Sequence, residues 1–201
     1  MDLSRAHRKF ATTMIQSWNA GLADWVDTDC YGALQAFDRF ITERTFGQKK
    51  RILTMPGDVK LPADVTVVRL AGSEEAFLVE KYNEDVQFGK VYGYIYLLHE
   101  APYHVAVCKA ATAANAAGVL LPTGESVLAE TWIDLERFTS TASRSFEENE
   151  YTVVVVTLPT GTVVDTDTYL KLDSGVRYNV DEVYDALDLV VARGKRVGVT
   201  R

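Results

Sequence analysis

The strongest constraint on the fold is a series of short segments rich in Val, Ile, Tyr and Phe that begins near Lys50. Residues typical of turns separate these segments, which are RILTM, VTVVRL, AFLVEKY, VYGYIYLL, HVAVC and YTVVVVTLP. β-branched and aromatic residues favour the pleated, half-buried surface of a sheet, and Gly, Pro, Asp and Asn favour turns. The sequence therefore predicts a mainly antiparallel β body over residues 49–201.

Two stretches of this β body resemble each other, TMPGDVKLPADVTVVRLAGSEEAFLVEKYNED from Thr54 and TLPTGTVVDTDTYLKLDSGVRYNVDEVYDA from Thr157. In both, a strand ends in Thr-x-Pro, a turn follows, a second strand ends in leucine, and an aromatic residue leads a third strand. The likeness indicates two related β units, residues 49–110 and 118–201. An internal duplication, one barrel whose halves reuse a hairpin design, and the general similarity of short hairpins would each explain it.

The first 48 residues carry a different pattern and are predicted to be helical. Apolar residues recur at spacings of four and three from Ser4 onward, which favours one amphipathic helix with Ser4 as its N-cap. After the turn VDTD, a second apolar face is predicted to end at Gly47, where a left-handed cap is expected. The residues of the two faces are Phe10, Met14, Trp18, Leu22 and Trp25, then Leu34, Phe37, Phe40 and Ile41.

The fold class predicted from these patterns is α+β, with an N-terminal helix pair over residues 1–48 followed by an antiparallel β-barrel or sandwich. Within the β body, the Ala-rich segment KAATAANAAG is compatible with a helix or with an exposed loop. WIDLERF is predicted to be a strand or a short helix, and SRSFEENE a polar loop.

Charge and composition narrow the classes of function. The net charge is −7 and the isoelectric point is near 5.0, which disfavours a nucleic-acid-binding protein because phosphate affinity requires clustered Lys and Arg. A basic group near the C-terminus is a candidate docking surface for an acidic partner, and it comprises Arg193, Lys195, Arg196 and Arg201.

No secretory signal or membrane-spanning segment is recognisable, so we expect an intracellular product with no membrane contact. Cys30 and Cys108 lack metal or disulfide spacing and are predicted to be buried free thiols.

Two motifs resemble catalytic or metal sites but lack the residues that such sites require. DTDTY has the two aspartates of the D-x-D-x-T motif of haloacid-dehalogenase-type phosphotransferases at Asp165 and Asp167, yet too few residues follow for the rest of that active site. We expect both aspartates to bond the backbone of a turn. HEAPYH differs from the zinc motif H-E-x-x-H, because His99 and His104 are five apart and Pro102 would interrupt a helix. The sequence thus predicts no enzyme, no catalytic residue, no metal and no cofactor.

Tyr92, Tyr94 and Tyr96 alternate along one segment, which places three phenol rings on one face of a strand. Cross-strand packing or an intersubunit contact is the expected role of these aromatic residues. Stacking against a carbohydrate is the alternative, and it motivates a second candidate function, a module that binds glycans or a host surface.

The C-terminal segment from Tyr151 to Gly198 resembles the neck proteins of tailed phages, known as head-closure, stopper or head-to-tail connector proteins. The likeness is carried by a strand, a Gly or Asp turn, the hairpin Y-L-K-L-D-S-G-V-R-Y-N-V and a final apolar and basic strand. On this resemblance, Tyr169, Leu170 and Leu172 form one strand, Gly175 the turn, and Tyr178 and Val180 the return strand. Three further residues would close the barrel, namely Leu187, Leu189 and Val191.

The resemblance implies a virion protein, assembled in the host cytoplasm, that forms a homo-oligomeric ring joining the portal and capsid to the tail. Its partners would be copies of itself, a portal or adaptor protein, and a tail terminator or tail tube protein. DNA would pass without sequence-specific binding, and a projecting loop would help to retain it. Candidate residues of such a channel loop are Ala111, Thr112 and Asn115 in the Ala-rich segment, and Arg144, Glu147 and Glu148 in the polar loop. Because the chain is larger than a minimal connector barrel, a tail terminator or a hub subunit remains an alternative.

Overall fold

The computed structural model describes residues 11–36, 50–114, 120–144, 147–186 and 189–196. All regular secondary structure in these ranges is β-strand. The strands are β1 Thr13–Asn19, β2 Asp24–Ala36, β3 Lys50–Pro56, β4 Val67–Leu70, β5 Phe77–Gln87, β6 Lys90–Glu100, β7 Tyr103–Ala114, β8 Leu120–Arg144, β9 Glu147–Pro159, β10 Thr168–Leu172, β11 Arg177–Ala186 and β12 Leu189–Arg196.

The chain divides into two compact units, Met1–Pro102 and Tyr103–Arg201. In the described residues, each unit is a closed barrel of six strands, which we call barrel 1 and barrel 2. Barrel 1 has the order β1-β2-β3-β6-β5-β4, and barrel 2 has the order β7-β8-β9-β12-β11-β10. Read along each unit, the two orders are the same, so the two barrels share one topology. The β-barrel expected for the body is thereby confirmed.

Turn geometry repeats between the barrels as closely as strand order does. After the Thr-x-Pro of the first barrel, Val59 N donates to Pro56 O (3.1 Å); after that of the second, Thr162 N donates to Pro159 O (3.2 Å). The next turn repeats as well, with bonds from Val65 N to Pro62 O and from Thr168 N to Asp165 O, both 3.1 Å. The two similar sequence segments therefore occupy equivalent positions in the two barrels.

Strand pairing extends the equivalence into the cores. Val68 pairs with Phe77 in barrel 1, and Leu170 pairs with Tyr178 in barrel 2. A shift of register follows in both, between Val79 and Lys81 and between Val180 and Glu182. A β-bulge bends its strand and re-aims the side chains beyond it. The register shift occurs at the equivalent place in both barrels. The two barrels therefore share a backbone conformation as well as a residue pattern.

Each barrel encloses its own apolar core. The largest fully buried side chains of barrel 1 include Phe77, Ile15 and Met55, and those of barrel 2 include Tyr178, Ile133 and Leu158. Cys30 and Cys108 are both buried free thiols, as the sequence analysis predicted. Burying apolar side chains contributes roughly 1.5–3 kcal/mol each, so each barrel has a separate source of stability.

The predicted N-terminal helix pair is wrong, because the described part of residues 1–48 forms the antiparallel hairpin β1–β2. Met14 and Trp18 are four positions apart, so they share a face in a strand as well as in a helix. The odd step that follows, from Leu22 to Trp25, falls where the chain turns at residues 20–23. Trp18 and Trp25 thus face each other across the hairpin, with ring centroids 5.4 Å apart.

Closure of barrel 1 explains why the strand state prevails here. β1 pairs with β2 on one side and with β4 on the other, so it supplies the pairing that joins the two edges of the sheet. Removing sheet edges in this way satisfies backbone groups that would otherwise be open. Leu34 of the predicted second helix lies in β2, whereas Phe10, Phe37, Phe40, Ile41 and Gly47 lie outside the described residues.

Three further segments contain strands. The helix or loop predicted for the Ala-rich segment and the loop predicted for the polar segment are therefore wrong in their described residues. The Ala-rich segment continues β7 to Ala114, and WIDLERF lies within β8. The polar segment contains the end of β8 at Arg144 and the start of β9 at Glu147. No helix of the length and apolarity that a bilayer span requires occurs in the part of the chain that the structure describes.

Candidate functional site

The β5–β6 hairpin of barrel 1 is longer than its counterpart, β11–β12 of barrel 2. Glu84 pairs with Tyr94 in barrel 1, and the equivalent pair in barrel 2 is Asp185 with Val190. Residues 85–93 separate the first pair, whereas residues 186–189 separate the second. Barrel 1 therefore carries the longer hairpin at this place, and a segment that one of two barrels of the same topology adds is a candidate for function.

The tip of this hairpin is a strained and exposed aromatic residue. Gln87 pairs with Lys90, which leaves Phe88 and Gly89 as a two-residue turn, and their φ angles are 49° and 74°. Positive φ at both positions is the type I′ arrangement, for which Asn-Gly is favoured and a bulky first residue is costly. The exposed fraction of Phe88 is 98%. The turn thus holds an aromatic side chain in solvent although its backbone conformation favours a smaller polar residue.

At the barrel end of the same hairpin, three tyrosines form a cluster. Tyr82 lies against both neighbours, with its ring centroid 6.2 Å from that of Tyr94 and 5.5 Å from that of Tyr96. Tyr96 is buried and Tyr94 is half-buried, whereas the exposed fraction of Tyr82 is 43%. The cluster therefore connects the core of barrel 1 to the solvent.

Lys60, in the loop after β3, lies on this cluster. Its Nζ atom is 4.0 Å from the ring centroid of Tyr82 and 5.7 Å from that of Tyr94, and it also donates a hydrogen bond to the Tyr82 hydroxyl. That hydrogen bond is the main cause that raises the pKa of Lys60, and the negative charge of Glu84 acts in the same direction. We call Tyr82, Tyr94, Glu84 and Lys60 the ammonium cluster. The geometry is that of a cation held over aromatic faces.

Barrel 2 carries a second polar cluster on the outer face of its sheet, centred on Glu125. This carboxylate accepts hydrogen bonds from Tyr169 Oη (2.8 Å), Arg177 (3.1 Å) and Lys171. The hydrogen bond from Lys171 is the main cause that lowers the pKa of Glu125. Burial raises the pKa of the nearby Cys108 thiol, so a thiolate nucleophile is disfavoured there. The donors satisfy the carboxylate, and the cluster links β8, β10 and β11.

Two phenols have strongly raised pKa values for partly different reasons. Burial raises the pKa of Tyr96 to about 12. Burial and then the hydrogen bond to Glu125 raise the pKa of Tyr169 to about 12. The protonated form is favoured in the folded state, so its contribution to stability is present below the ordinary tyrosine pKa of 10.0 and is lost as pH rises toward about 12.

We expect Tyr96→Phe and Tyr169→Phe each to remove one late-ionising phenol from an ultraviolet titration of tyrosinate. Phenylalanine cannot ionise, so each variant should also weaken the fall in stability between pH 10 and about 12. The wild-type chain, titrated under the same conditions, is the reference for the late part of the curve. Unaltered late ionisation in both variants would contradict the assignment.

The candidate channel residues lie at two separate places in barrel 2. Ala111 and Thr112 are in β7 and pair with Gly124 and Pro122 near the start of β8. Arg144 is the last residue of β8 and pairs with Glu147 at the start of β9, beside the pair of Ser143 with Glu148. The two groups thus lie at opposite ends of β8 and are not brought together. Asn115 lies outside the described residues.

The candidate docking and motif residues have local structural partners. Arg193 donates to Glu182 on the neighbouring strand at 3.2 Å; Lys195 and Arg196 end β12, and Arg201 lies outside the described residues.

Asp165 accepts a hydrogen bond from Asp167 N at 2.9 Å, so the D-x-D motif forms the predicted turn. His104 contacts Asp173 at 2.9 Å. In the described ranges, no group of three or more His, Cys, Asp or Glu is placed to hold a metal ion.

Phe88, Tyr82 and Lys60 were not among the site residues predicted from the sequence. A signal for Phe88 was present, since the dipeptide Phe-Gly stands where a hairpin turn between AFLVEKY and VYGYIYLL would favour Asn-Gly.

Comparisons of the chain with protein-family models, with curated proteins and with solved structures found no match in any of the three.

Proposed function

We propose that this protein is a structural subunit of the neck of a tailed phage, where copies form a ring between the portal and the tail. The C-terminal resemblance to connector proteins and the barrel fold support this proposal. So does the acidic net charge of −7, because DNA must slide through such a ring without being bound tightly to its wall. Tail terminator and hub positions are variants of the same assembly role.

The observation that carries the assembly role is the tip of the β5–β6 hairpin. An aromatic side chain with an exposed fraction of 98% has no packing within its own barrel. The positive φ of 49° at Phe88 adds strain of about 1 kcal/mol or more. A residue that gives the isolated chain nothing in return is explained when it packs against another subunit. Val86, with an exposed fraction of 52%, extends the apolar surface on this hairpin.

The glycan-binding alternative receives less support. It requires Tyr92, Tyr94 and Tyr96 to offer stacking surface together, yet the exposed fraction of Tyr96 is 3% and its hydroxyl accepts a hydrogen bond from Leu61 N at 3.0 Å. Buried, bonded tyrosine is typical of a core residue. The face that remains exposed belongs mainly to Tyr82, whose ring already contacts Lys60.

The variant Phe88→Asn tests the proposal by moving stability and assembly in opposite directions. Asparagine accepts positive φ more readily than phenylalanine, so we expect barrel 1 to gain about 1 kcal/mol, or roughly 4–8 °C in melting temperature. At the same time, rings of the wild type seen by light scattering and negative-stain imaging should be lost. The same samples mixed with portal-bearing capsids should show wild-type rings at the portal vertex and none for the variant.

Val163→Ser is the matched control, since Val163 is also apolar and has an exposed fraction of 70%, but lies in a loop of barrel 2. It should assemble like the wild type. A wild type that stays monomeric at high concentration and ignores capsids would count against the neck role. Rings that persist in Phe88→Asn would keep the neck role and exclude the hairpin as the contact.

A further inference from the structure

Barrel 2 shows which residues stand at the positions of Tyr82, Tyr94 and Lys60 of the ammonium cluster, and at that of the neighbouring Tyr96. The equivalents of Tyr82, Tyr94 and Tyr96 follow from strand pairing: Tyr82 pairs with Tyr96, and Val183 with Ala192. Met55 pairs with Tyr94, and Leu158 with Val190. The shared turn after Thr-x-Pro makes Val163 the equivalent of Lys60. Barrel 2 thus closes with only aliphatic residues at the positions of the three tyrosines and the lysine.

The residues of barrel 2 show that the barrel fold itself does not require the tyrosines and the lysine of barrel 1. The same topology and the same bulge form with Val183, Val190, Ala192 and Val163, so the barrel does not need aromatic rings or a cation there. Barrel 1 nevertheless places two rings at an interplanar angle of 62° beside a carboxylate that favours positive charge. Aromatic faces with nearby negative charge are the elements from which proteins build ammonium-binding sites.

Lys60 shows which chemical group the cluster fits. Its ammonium group lies over Tyr82 and donates a hydrogen bond to the hydroxyl of the same residue. A primary ammonium can make both contacts, whereas a quaternary ammonium has no hydrogen to donate. Lys60 is itself exposed and stands in a loop between β3 and β4. It can therefore leave the rings without disturbing a strand or the core.

We propose that Tyr82, Tyr94 and Glu84 form a binding site for a lysine ammonium group of a partner protein, and that Lys60 occupies this site in the isolated chain. A partner lysine would displace Lys60 and take over its contacts. The internal lysine acts as a tethered competitor, which keeps the rings from associating with other surfaces before assembly. This inference rests on the ammonium cluster of barrel 1 and on its comparison with barrel 2, and it does not depend on the neck role.

The test uses the full chain and n-butylammonium, which reproduces the end of a lysine side chain. Lys60→Val copies the residue of barrel 2 and empties the site. Because a tethered group competes at an effective concentration in the millimolar range, we expect this variant to bind n-butylammonium about tenfold more tightly than the wild type. Binding would be followed by NMR shifts of the tyrosine ring protons, and tetramethylammonium should bind more weakly than n-butylammonium.

The double variants Lys60→Val/Tyr82→Val and Lys60→Val/Tyr94→Val should lose the binding, while the dispersed amide spectrum of barrel 1 is retained. Val163→Lys, which places a lysine at the same position of the barrel without tyrosines, should gain no ring contact and serves as the reciprocal control. Equal affinity in the wild type and Lys60→Val would overturn the proposal, as would binding that survives in the two double variants. A preference for tetramethylammonium would overturn the assignment to a lysine.

Discussion

Phe77→Ala is expected to destabilise barrel 1 by about 3–5 kcal/mol, the range found when a buried aromatic side chain is truncated. The exposed fraction of Phe77 is 1%, and it belongs to the core cluster of barrel 1 with Ile15, Leu53 and Met55. Truncation removes apolar contact area and leaves a cavity that the closed sheet cannot fill. A loss of this size is a large part of the stability of a domain.

The equivalent substitution in barrel 2, Tyr178→Ala, provides the control. Tyr178 has an exposed fraction of 2% and packs in the separate core cluster of that barrel. Since the two cores share no residue, each variant should lose amide hydrogen-exchange protection mainly in its own barrel. Equal loss of protection across both barrels in either variant would contradict this expectation and would show that the two units unfold together.

Gly57→Ala is expected to destabilise barrel 1 by about 1–3 kcal/mol, because the site has no space for a side chain. A Cβ atom at Gly57 would lie 2.5 Å from Val91 O and 2.8 Å from Tyr92 C, both backbone atoms of β6. Gly57 N also donates to Tyr92 O at 3.0 Å. Relief of the overlap requires the hairpin to move away from the turn, which breaks this hydrogen bond.

Thr160 occupies the equivalent place after Pro159 in barrel 2, so this position of the fold accepts a side chain there. Thr160→Ala should therefore change stability by less than about 1 kcal/mol. Chemical denaturation of both variants measures the difference, and hydrogen exchange should locate the loss in Gly57→Ala at the β5–β6 hairpin. Equal small effects in the two variants would show that the close approach of Gly57 to β6 is not tight.

Much of the β body could be predicted because its strands combine β-branched residues with clear turn residues. The likeness between the segments at Thr54 and Thr157 located equivalent strands and turns of the two barrels before any coordinates were known. The N-terminal hairpin could not be recognised, since Met14 and Trp18 fit either period and the decisive partner of β1 is β4, far along the chain. Pairing between distant strands overrides local preference, and it leaves no trace in a window of a few residues.

In the candidate site as well, features set by neighbouring residues could be predicted, whereas features set by distant strands could not. Alternation placed Tyr92, Tyr94 and Tyr96 on a common face, but the burial of Tyr96 depends on Leu53 and Tyr82, which pair with it from two other strands. Lys60 could not be linked to these rings from sequence, because it reaches them from a loop whose position is set by barrel closure. Phe88 was recognisable only as an unsuitable residue in a turn.

The common strand order of the two barrels has a consequence for how the chain reaches its native state. During synthesis, β3 must wait for β6 and β9 must wait for β12, so each barrel is completed by the last strand of its unit to be synthesised. A strand from one repeat could meanwhile close the other, which is a known failure of tandem domains. Differences between matching strands, such as VVRL in β4 and TYLKL in β10, make such exchanged pairings fit poorly. Sequence differences between the two repeats thus disfavour misfolding by strand exchange.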